Sequence, residues 1–283
     1  MKASGDFHYR IGSRIGGWRP GAHAGLARGA GDDFVVHASL FERPDPRRVD
    51  LRASLRDPRG DWLVRVARQR SQVAVAAAVD VSASMNFGTP ARKLDLAADF
   101  VAALGRASFA AGDPLSLCAF DRCCHDDLRT PPTRQPGLAE LFASRLRSTP
   151  CRSSGHDGLI DALMPLAGRQ ALVFLVSDFH GYGSDLDAAL DLLVRARVTP
   201  IVVWSPDEIE PPDQDGLLRL RDLESGRLRD LWLRPRLRSR WRAAVAERRR
   251  TLQARFLARG IRPFFLTAPF DGDALTRHFL EGE

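Results

Sequence analysis

The chain has 283 residues, 44% of them hydrophobic, which is enough to bury the core of one large or two small globular domains. Its net charge is +7, but the 42 basic residues are interleaved with 35 acidic ones, so the pattern predicts a solvated surface rather than a nucleic-acid-binding face. The polar start and the absence of any apolar run near ~20 residues predict a cytoplasmic protein without a membrane span.

The first 70 residues are predicted to form a β-rich N-terminal arm. Residues 1–35 are rich in glycine and arginine and show little periodicity, which is typical of an extended segment with turns. These glycines do not stand between a strand and a helix as G-x-G-x-x-G, and no G-x-x-x-x-G-K-[ST] phosphate loop occurs. Residues 34–40 are predicted to form a short strand.

Residues 71–283 are predicted to form one α/β domain, because strand-like and helix-like segments alternate along them. The predicted strands are 73–79, 115–120, 171–176, 200–204 and 264–267, with a short antiparallel edge at 123–128. The predicted helices are 94–110, 138–146, 158–166, 186–196, 237–258 and 273–280. This alternation predicts a three-layer, doubly wound, mostly parallel sheet of Rossmann-like type.

The alternation is interrupted at residues 205–235. Two strand-like runs, 217–223 and 228–233, flank the turn Glu224-Ser225-Gly226-Arg227. A glycine-containing turn between two such runs predicts a β-hairpin, which we interpret as an insertion in the domain.

The four cysteines have no recognisable pairing pattern. They form neither a C-x-x-C pair nor a zinc-binding spacing, which predicts free thiols in a reducing cytosol. A redox role for the adjacent pair Cys123-Cys124 is the alternative. The cysteines are Cys118, Cys123, Cys124 and Cys151.

The most informative stretch is V-A-V-A-A-A-V-D-V-S-A-S-M, residues 73–85. A continuous apolar run, typical of a strand buried on both faces, changes abruptly into Asp80, Ser82 and Ser84. Alternate residues of an extended segment point the same way, so these side chains can converge at the carboxyl end of a central strand. An all-oxygen ligand set suits a hard cation, Mg²⁺ or else Ca²⁺ or Mn²⁺. The alternative is a polar turn in which a serine caps the next helix.

This D-x-S-x-S sequence after a buried strand resembles the metal-ion-dependent adhesion site (MIDAS) of the von Willebrand factor A domain. The resemblance implies a fold of that type, with an ion held by the two serines, a threonine from a second loop and an aspartate from a third. It also implies an open coordination place for a partner's carboxylate. Asp178, which follows the predicted strand 171–176, matches the third-loop aspartate.

The second loop, C-R-S-S-G-H-D-G at residues 151–158, lacks the threonine. Counting back from the following helix places Asp157 at the threonine position, whereas counting from the loop glycine places His156 there. An aspartate would offer oxygen to Mg²⁺, whereas a histidine would favour softer metals. Because Asp157 directly precedes the predicted helix, we predict that it faces the ion and that His156 points outward. The predicted metal ligands are Asp80, Ser82, Ser84, Asp157 and Asp178.

Other segments resemble the DUF58 family. P-D-P-R-R-V-D-L-R-A-S-L-R at 44–56, followed by W-L-V-R-V at 62–66, is similar to the segment before the A-like domain in that family, with Leu51 in place of its tryptophan. F-H-Y-R at 7–10 and W-R-P-G-A-H at 18–23 make the MxaS-like branch of methanol-oxidation gene clusters the most similar one. The resemblance implies a MoxR-type AAA+ ATPase as a partner, and a client such as methanol dehydrogenase.

The sequence therefore predicts a non-enzymatic interaction and assembly module whose client supplies a carboxylate to a bound metal. One alternative is a serine-type hydrolase, in which Ser82 or Ser84 would pair with His156 or His180 and an aspartate. The absence of a G-x-S-x-G elbow argues against it, and we predict no activity on generic esters or nucleotides. The other alternative, a nucleic-acid-binding protein, rests on the basic charge alone.

Overall fold

A computed structural model describes residues 5–9, 20–29, 33–89, 91–151 and 153–281 of the chain. The chain divides into two compact units. One comprises Met1–Tyr9, Ala74–Ala110 and Pro114–Glu283, and the other comprises Arg10–Val73 and Ala111–Asp113. The glycine-rich turns predicted within residues 10–19 and 30–32 lie outside the described residues.

The smaller unit contains a three-stranded antiparallel sheet with the order β1-β3-β2. Its elements are β1 (Pro20–Gly29), β2 (Asp33–Ser39), the one-turn helix α1 (Leu51–Ser54) and β3 (Leu63–Ser71). The helix begins where the Asp50 carboxylate accepts a hydrogen bond from the Ala53 N–H, at 3.0 Å. This cap fixes the start of the one-turn helix within the arginine-rich segment 44–56.

The larger unit is built on a six-stranded sheet with the order β11-β8-β7-β4-β5-β6, in which only β6 runs antiparallel to its neighbour. The strands are β4 (Ala74–Asp80), β5 (Leu115–Phe120), β6 (Cys124–Thr133), β7 (Ala171–Ser177), β8 (Arg197–Val203) and β11 (Phe264–Leu266). A separate hairpin is formed by β9 (Gly216–Arg221) and β10 (Leu228–Leu233). The mixed α/β, mostly parallel fold predicted from the sequence is confirmed.

Helices cover both faces of this sheet. They are α2 (Lys93–Ala111), α3 (Leu138–Ser148), α4 (Gly158–Leu163), α5 (Ser184–Leu192), α6 (Pro206–Ile209), α7 (Pro235–Leu257) and α8 (Gly272–Glu281). On one face, buried residues of β7 pack in a cluster with α4, α5 and α7. On the other face, Phe174 packs against Phe100 of α2 and Phe279 of α8, with ring centroids 5.4 and 6.0 Å apart. Because neighbouring strand residues point to opposite faces, β7 is covered on both sides.

Two of the predicted helix boundaries were wrong. The helix predicted at 158–166 ends at Leu163 and continues as a 3₁₀ turn, Met164–Leu166, because Pro165 lacks the N–H of an α-helical bond. The helix predicted at 186–196 covers Ser184–Leu192, and the last four predicted residues lie outside it. The remaining predicted elements differ from the observed ones by a few residues at their ends.

Gly105 allows α2 and α3 to approach closely. A Cβ atom added at Gly105 would lie 2.1 Å from the Ala139 Cβ, which no real contact allows. We expect Gly105→Ala to lower the free energy of unfolding by about 1–3 kcal/mol, although alanine normally stabilises a helix interior. Chemical denaturation measures this effect, and Gly216→Ala, with open space around its Cβ, is the control. A stabilised Gly105→Ala protein would contradict the packing.

Candidate functional site

The site lies where the strand order reverses. From β4 the sheet extends to β5 and β6 on one side and to β7, β8 and β11 on the other. Open parallel sheets bind ligands outside the carboxyl ends of the strands at such a reversal. Asp80 is the last residue of β4, Ser177 is the last residue of β7, and Asp178 follows it. The two predicted strand-end carboxylates therefore belong to the two strands that flank the reversal.

Asp80 is fully buried and is held by three hydrogen-bond donors. Its Oδ1 accepts from the Ser82 N–H at 2.8 Å. Its Oδ2 accepts from the Ser177 hydroxyl at 2.6 Å and from the Tyr182 hydroxyl at 3.0 Å. A buried carboxylate in such a network has a fixed orientation, because each donor loses its partner if the carboxylate turns.

The hydroxyl groups of Ser82 and Ser84 face each other, with their Oγ atoms 3.3 Å apart. Ser82 precedes a 3₁₀ turn, Ala83–Asn86, but its side chain makes no capping hydrogen bond to it. Ser82 therefore does not cap this turn. Both serines are buried.

Asp178 is bound to a buried lysine that the sequence analysis did not assign to the site. Lys93 Nζ donates to Asp178 Oδ2 at 2.5 Å and to Glu208 Oε1 at 2.6 Å, and the Lys93 side chain is 1% exposed. Burial opposes the ammonium charge, but the two carboxylates outweigh it and raise the pKa of Lys93. Burial likewise opposes the charge of Asp178, but the lysine keeps the pKa of that carboxyl below its usual value. The three groups therefore remain charged together.

The elements around this triad hold its members in place. Glu208 also accepts from the Ser205 N–H through Oε2, at 3.2 Å, as part of the capping box that starts α6. Asp178 Oδ1 accepts from the His180 N–H at 2.9 Å. Between them Phe179 has a φ of 54°, a left-handed conformation that is rare for a bulky residue. Such backbone conformations cluster at functional sites.

The structure reverses the prediction made for the second loop. His156, not Asp157, lies beside Asp80, with its Nδ1 3.4 Å from Asp80 Oδ2. The imidazole is stacked on the Tyr182 ring, with centroids 4.0 Å apart and planes at 13°, and its Nε2 contacts the backbone oxygen of His180 at 3.0 Å. Burial opposes the charged imidazolium, but Asp80 outweighs it and raises the pKa of His156.

Asp157 is exposed and makes no capping hydrogen bond, although it precedes α4 as predicted. The physical reason is its backbone, which is already helical at φ −60° and ψ −30°. The side chain of an N-cap residue reaches the N–H groups of the first helical turn when the residue's backbone is extended. When that backbone is helical, the side chain points away from these N–H groups. The prediction that Asp157 faces the ion is therefore wrong in its geometry.

A carboxylate from the hairpin turn reaches into the site. Glu224 Oε1 accepts from the Ser84 N–H at 2.8 Å, and its Oε2 accepts from the Gly155 N–H at 3.3 Å. The turn itself is fixed by Asp222, whose Oδ1 accepts from the Glu224 N–H at 3.0 Å. One carboxylate thus bridges the D-x-S-x-S loop and the second loop.

Five site residues were missed from the sequence, namely Lys93, Ser177, Tyr182, Glu208 and Glu224. Two of them carried a usable signal. Lys93 is one of only two lysines, with Lys2, in a chain whose other basic residues are arginines. Glu224 stands in the hairpin turn that the sequence located. Tyr182 lies in a loop and Glu208 in the one-turn helix α6, and the spacing of residues does not show that either side chain reaches the site.

A serine hydrolase requires a serine hydroxyl hydrogen-bonded to a histidine. Among the described residues, no serine hydroxyl hydrogen-bonds to His156 or His180. His156 Nδ1 faces Asp80 without forming a hydrogen bond, and His180 Nδ1 is buried without one. A serine nucleophile needs an oriented base within hydrogen-bond reach, and neither histidine is hydrogen-bonded to a serine hydroxyl in the part of the chain that the structure describes.

The comparison with protein families decides the assignment. A family model described as "Protein of unknown function DUF58" matches residues 44–251, which is most of the chain. The chain belongs to the DUF58 family. This DUF58 protein is 28% identical over 240 residues to the uncharacterized proteins Rv1480 of Mycobacterium tuberculosis and Mb1516 of Mycobacterium bovis. Each alignment covers 83% of this chain and 74% of the relative.

Solved structures with similarity to this DUF58 protein share little of its sequence. An aerotolerance-related membrane protein from Bacteroides fragilis is 16% identical, with a TM-score of 0.45 over 74% of this chain and 98% of that one. A von Willebrand factor type A structure from Catenulispora acidiphila is 13% identical, with a TM-score of 0.31 over 48% of this chain and 34% of that one. Within the part of the chain that the structure describes, no helix has the length and apolar character needed to cross a membrane.

Proposed function

We propose that this DUF58 protein is a non-enzymatic interaction module that binds a divalent cation and a partner's carboxylate at the ends of β4 and β7. The observation that supports it is the position of Glu224. A carboxylate already lies at this site, held by the N–H groups of Ser84 and Gly155 at 2.8 and 3.3 Å. These two N–H groups are therefore the hydrogen-bond donors that would bind an acidic side chain of a partner.

The donor set at the sheet edge fits a hard cation such as Mg²⁺, Ca²⁺ or Mn²⁺. The Ser82 and Ser84 hydroxyls, 3.3 Å apart, and the Glu224 carboxylate offer oxygen, the ligand atom these ions require. Asp80 keeps lone pairs beyond the three hydrogen bonds it accepts. Asp178 is already neutralised by Lys93, so we assign it a supporting role rather than direct ligation. The cation would supply charge that attracts an external carboxylate.

Glu224, which the hairpin carries, competes with a partner's carboxylate for the same position in this site. An acidic residue of a partner that entered the same position would have to displace Glu224 from the Ser84 and Gly155 N–H groups. The Glu224 turn is exposed on its outer side and is carried by a two-stranded sheet that pairs with no other strand among the described residues. We propose that displacement of this hairpin accompanies partner binding.

We further propose the partners that the family resemblance implies. These are a MoxR-type AAA+ ATPase and a client protein that supplies the carboxylate, with methanol dehydrogenase maturation as the process and the cytoplasm as the location. Mixing the purified protein with a MoxR-type ATPase tests the first of these. The displacement step is tested with the client, which supplies the carboxylate: Glu224→Ala, with its site open, should be retained by the immobilised client more strongly than wild type, and an unchanged or lower retention contradicts that step.

Chemical rescue tests the cation and the carboxylate together. We expect Mn²⁺ to bind wild-type protein in calorimetry, and Ser82→Ala to weaken this binding at least tenfold, or about 1.4 kcal/mol. Glu224→Ala should weaken it as well, and added acetate should restore it in that variant alone. Acetate should restore nothing in Ser82→Ala, because the hydroxyl ligand is missing.

Glu210→Ala is the matched control for Glu224→Ala. Glu210 is another glutamate of the segment 205–235; it is exposed and is paired with Arg242 at 2.7 Å. Glu210→Ala should bind Mn²⁺ with the affinity of wild type, and added acetate should not change that affinity. If Mn²⁺ binds wild type and Ser82→Ala equally, the cation is not at this site. If acetate has no effect on Glu224→Ala, the carboxylate position is wrong.

A further inference from the structure

A second group of metal-ligand side chains lies in the turn after β5 and at the start of β6, in the sequence D-R-C-C-H. Asp121 and Cys123 belong to the turn, and His125 is the second residue of β6. The Asp121 Oδ1 is 3.1 Å from the His125 Nε2 and 3.8 Å from the Cys123 Sγ. The three ligand atoms all lie within 4.8 Å of one another. The spacing of the cysteines alone predicts no zinc site, because only one of the three ligands is a cysteine.

We propose that Asp121, Cys123 and His125 form a binding site for a borderline transition metal such as Zn²⁺, with a fourth position open to water or an external ligand. A thiolate, an imidazole and a carboxylate are ligands that Zn²⁺ shares with Co²⁺ and Ni²⁺, whereas Mg²⁺ and Ca²⁺ prefer oxygen alone. This site therefore differs in ligand chemistry from the serine-lined site at Asp80.

The interatomic distances match the size of such an ion. Zinc bonds of 2.0–2.3 Å in a tetrahedron separate neighbouring ligand atoms by about 3.3–3.6 Å. The observed separations of 3.1 Å between oxygen and nitrogen and 3.8 Å between sulfur and oxygen lie on either side of that range. The third pair, Cys123 Sγ and His125 Nε2, lies within 4.8 Å, so side-chain rotation is needed to bring the three atoms onto one ion.

His125 supplies an independent sign of a missing partner. Its Nε2 atom is buried and makes no hydrogen bond, because the contact with Asp121 Oδ1 lacks hydrogen-bond geometry. Buried polar atoms in native proteins are satisfied in the large majority of cases. Asp121 Oδ1 already accepts from the Cys123 N–H at 3.1 Å, so a metal ion bound at this position would supply the partner that the His125 nitrogen lacks.

The turn that carries these residues is held rigidly by backbone contacts. The Asp121 N–H donates to the Cys123 oxygen at 3.0 Å, and the Gly158 N–H donates to the Asp121 oxygen at 3.0 Å. Gly158 lies so close that an added Cβ atom would be 2.2 Å from the Cys123 carbonyl carbon. A preformed turn presents its ligands without the entropy loss that a flexible loop would suffer on metal binding.

Co²⁺ is the probe that reports the ligand type. With the full-length protein kept reduced, we expect Co²⁺ to produce a thiolate-to-cobalt charge-transfer band in the near ultraviolet, which added Zn²⁺ removes by competition. Cys123→Ser should abolish the band, and His125→Ala should weaken Co²⁺ binding at least tenfold. Cys124→Ser is the matched control, because Cys124 is the adjacent cysteine and is not part of the cluster. The Cys124→Ser protein should keep the band. Ser82→Ala should also keep it.

The experiment separates this site from every other cysteine. Cys118 and Cys151 are poor thiolate donors, because burial raises the pKa of each to about 12. Far-ultraviolet circular dichroism checks that each variant is folded, and Cys123 is exposed, so its replacement by serine disturbs no core. Absence of the band in folded wild type, or its loss in Cys124→Ser but not in Cys123→Ser, would overturn the proposal and leave an ordinary Asp121–His125 ion pair.

Discussion

Replacing Lys93 by methionine should lower the free energy of unfolding by about 3–5 kcal/mol, the cost of leaving a buried charge without its partner. Among the described residues, Lys93 is the only side chain that forms an ion pair with Asp178, whose side chain is 0% exposed, and it also pairs with Glu208. Methionine retains the length and apolar contacts of the lysine stem. The decrease in the free energy of unfolding therefore measures the contribution of the ammonium group. Urea denaturation of both proteins measures the difference.

A second substitution shows whether charge is the cause. In the double variant Lys93→Met with Asp178→Asn, the fully buried negative charge is gone, and part of the lost stability should return. Arg219→Ala removes an exposed ion pair with Asp230 at 2.7 Å and should cost no more than about 1 kcal/mol. A Lys93→Met protein as stable as wild type would show that the buried triad is not held by charge.

Asp80→Ala should cost about 3 kcal/mol or more, because it removes the acceptor of three donors at once. The Ser82 N–H and the Ser177 and Tyr182 hydroxyls would each be left buried without a partner, at about 1–3 kcal/mol for each unsatisfied group. The same substitution should abolish Mn²⁺ binding, since it releases the loop that carries both serines. Denaturation and calorimetry on the same preparation check the two effects.

Tyr182→Phe measures how much one of the three hydrogen bonds to Asp80 contributes to stability. It deletes one donor and leaves two on Asp80, so we expect a loss of about 1 kcal/mol, with the cation still bound. The phenylalanine ring keeps the stacking on His156, whose centroid lies 4.0 Å from the Tyr182 ring. If Tyr182→Phe proved as destabilising as Asp80→Ala, the tyrosine and not the carboxylate would organise the site.

The sheet could be predicted from the sequence because its strands bury both faces. The apolar runs before Asp80 and Asp178 are unbroken, as a central parallel strand requires, and both became β-strands at the switch point. The hairpin was predictable for a different reason, since a glycine turn between two strand-like runs has few other solutions. Each of these elements could be predicted because residues close together in the sequence determine it.

The second loop could not be predicted because its outcome depends on contacts distant in sequence. Asp157 was expected at the ion from its position before a helix, a local argument. His156 takes that place because it stacks on Tyr182 and contacts Asp80, which lie 26 and 76 residues away along the chain. Lys93 reaches Asp178 and Glu208 in the same way, over separations of 85 and 115 residues. Spacing alone carries no information on such pairings.

The position of a bound Mn²⁺ ion is the most direct test of the proposed function. Crystals of the full chain grown with Mn²⁺ would locate the ion by its anomalous scattering. We expect a peak about 2.0–2.6 Å from the Oγ atoms of both Ser82 and Ser84, next to the Glu224 carboxylate. A map with no peak at the serines, or with its only peak between Asp178 and Glu208, would contradict a cation-dependent carboxylate site at the end of β4.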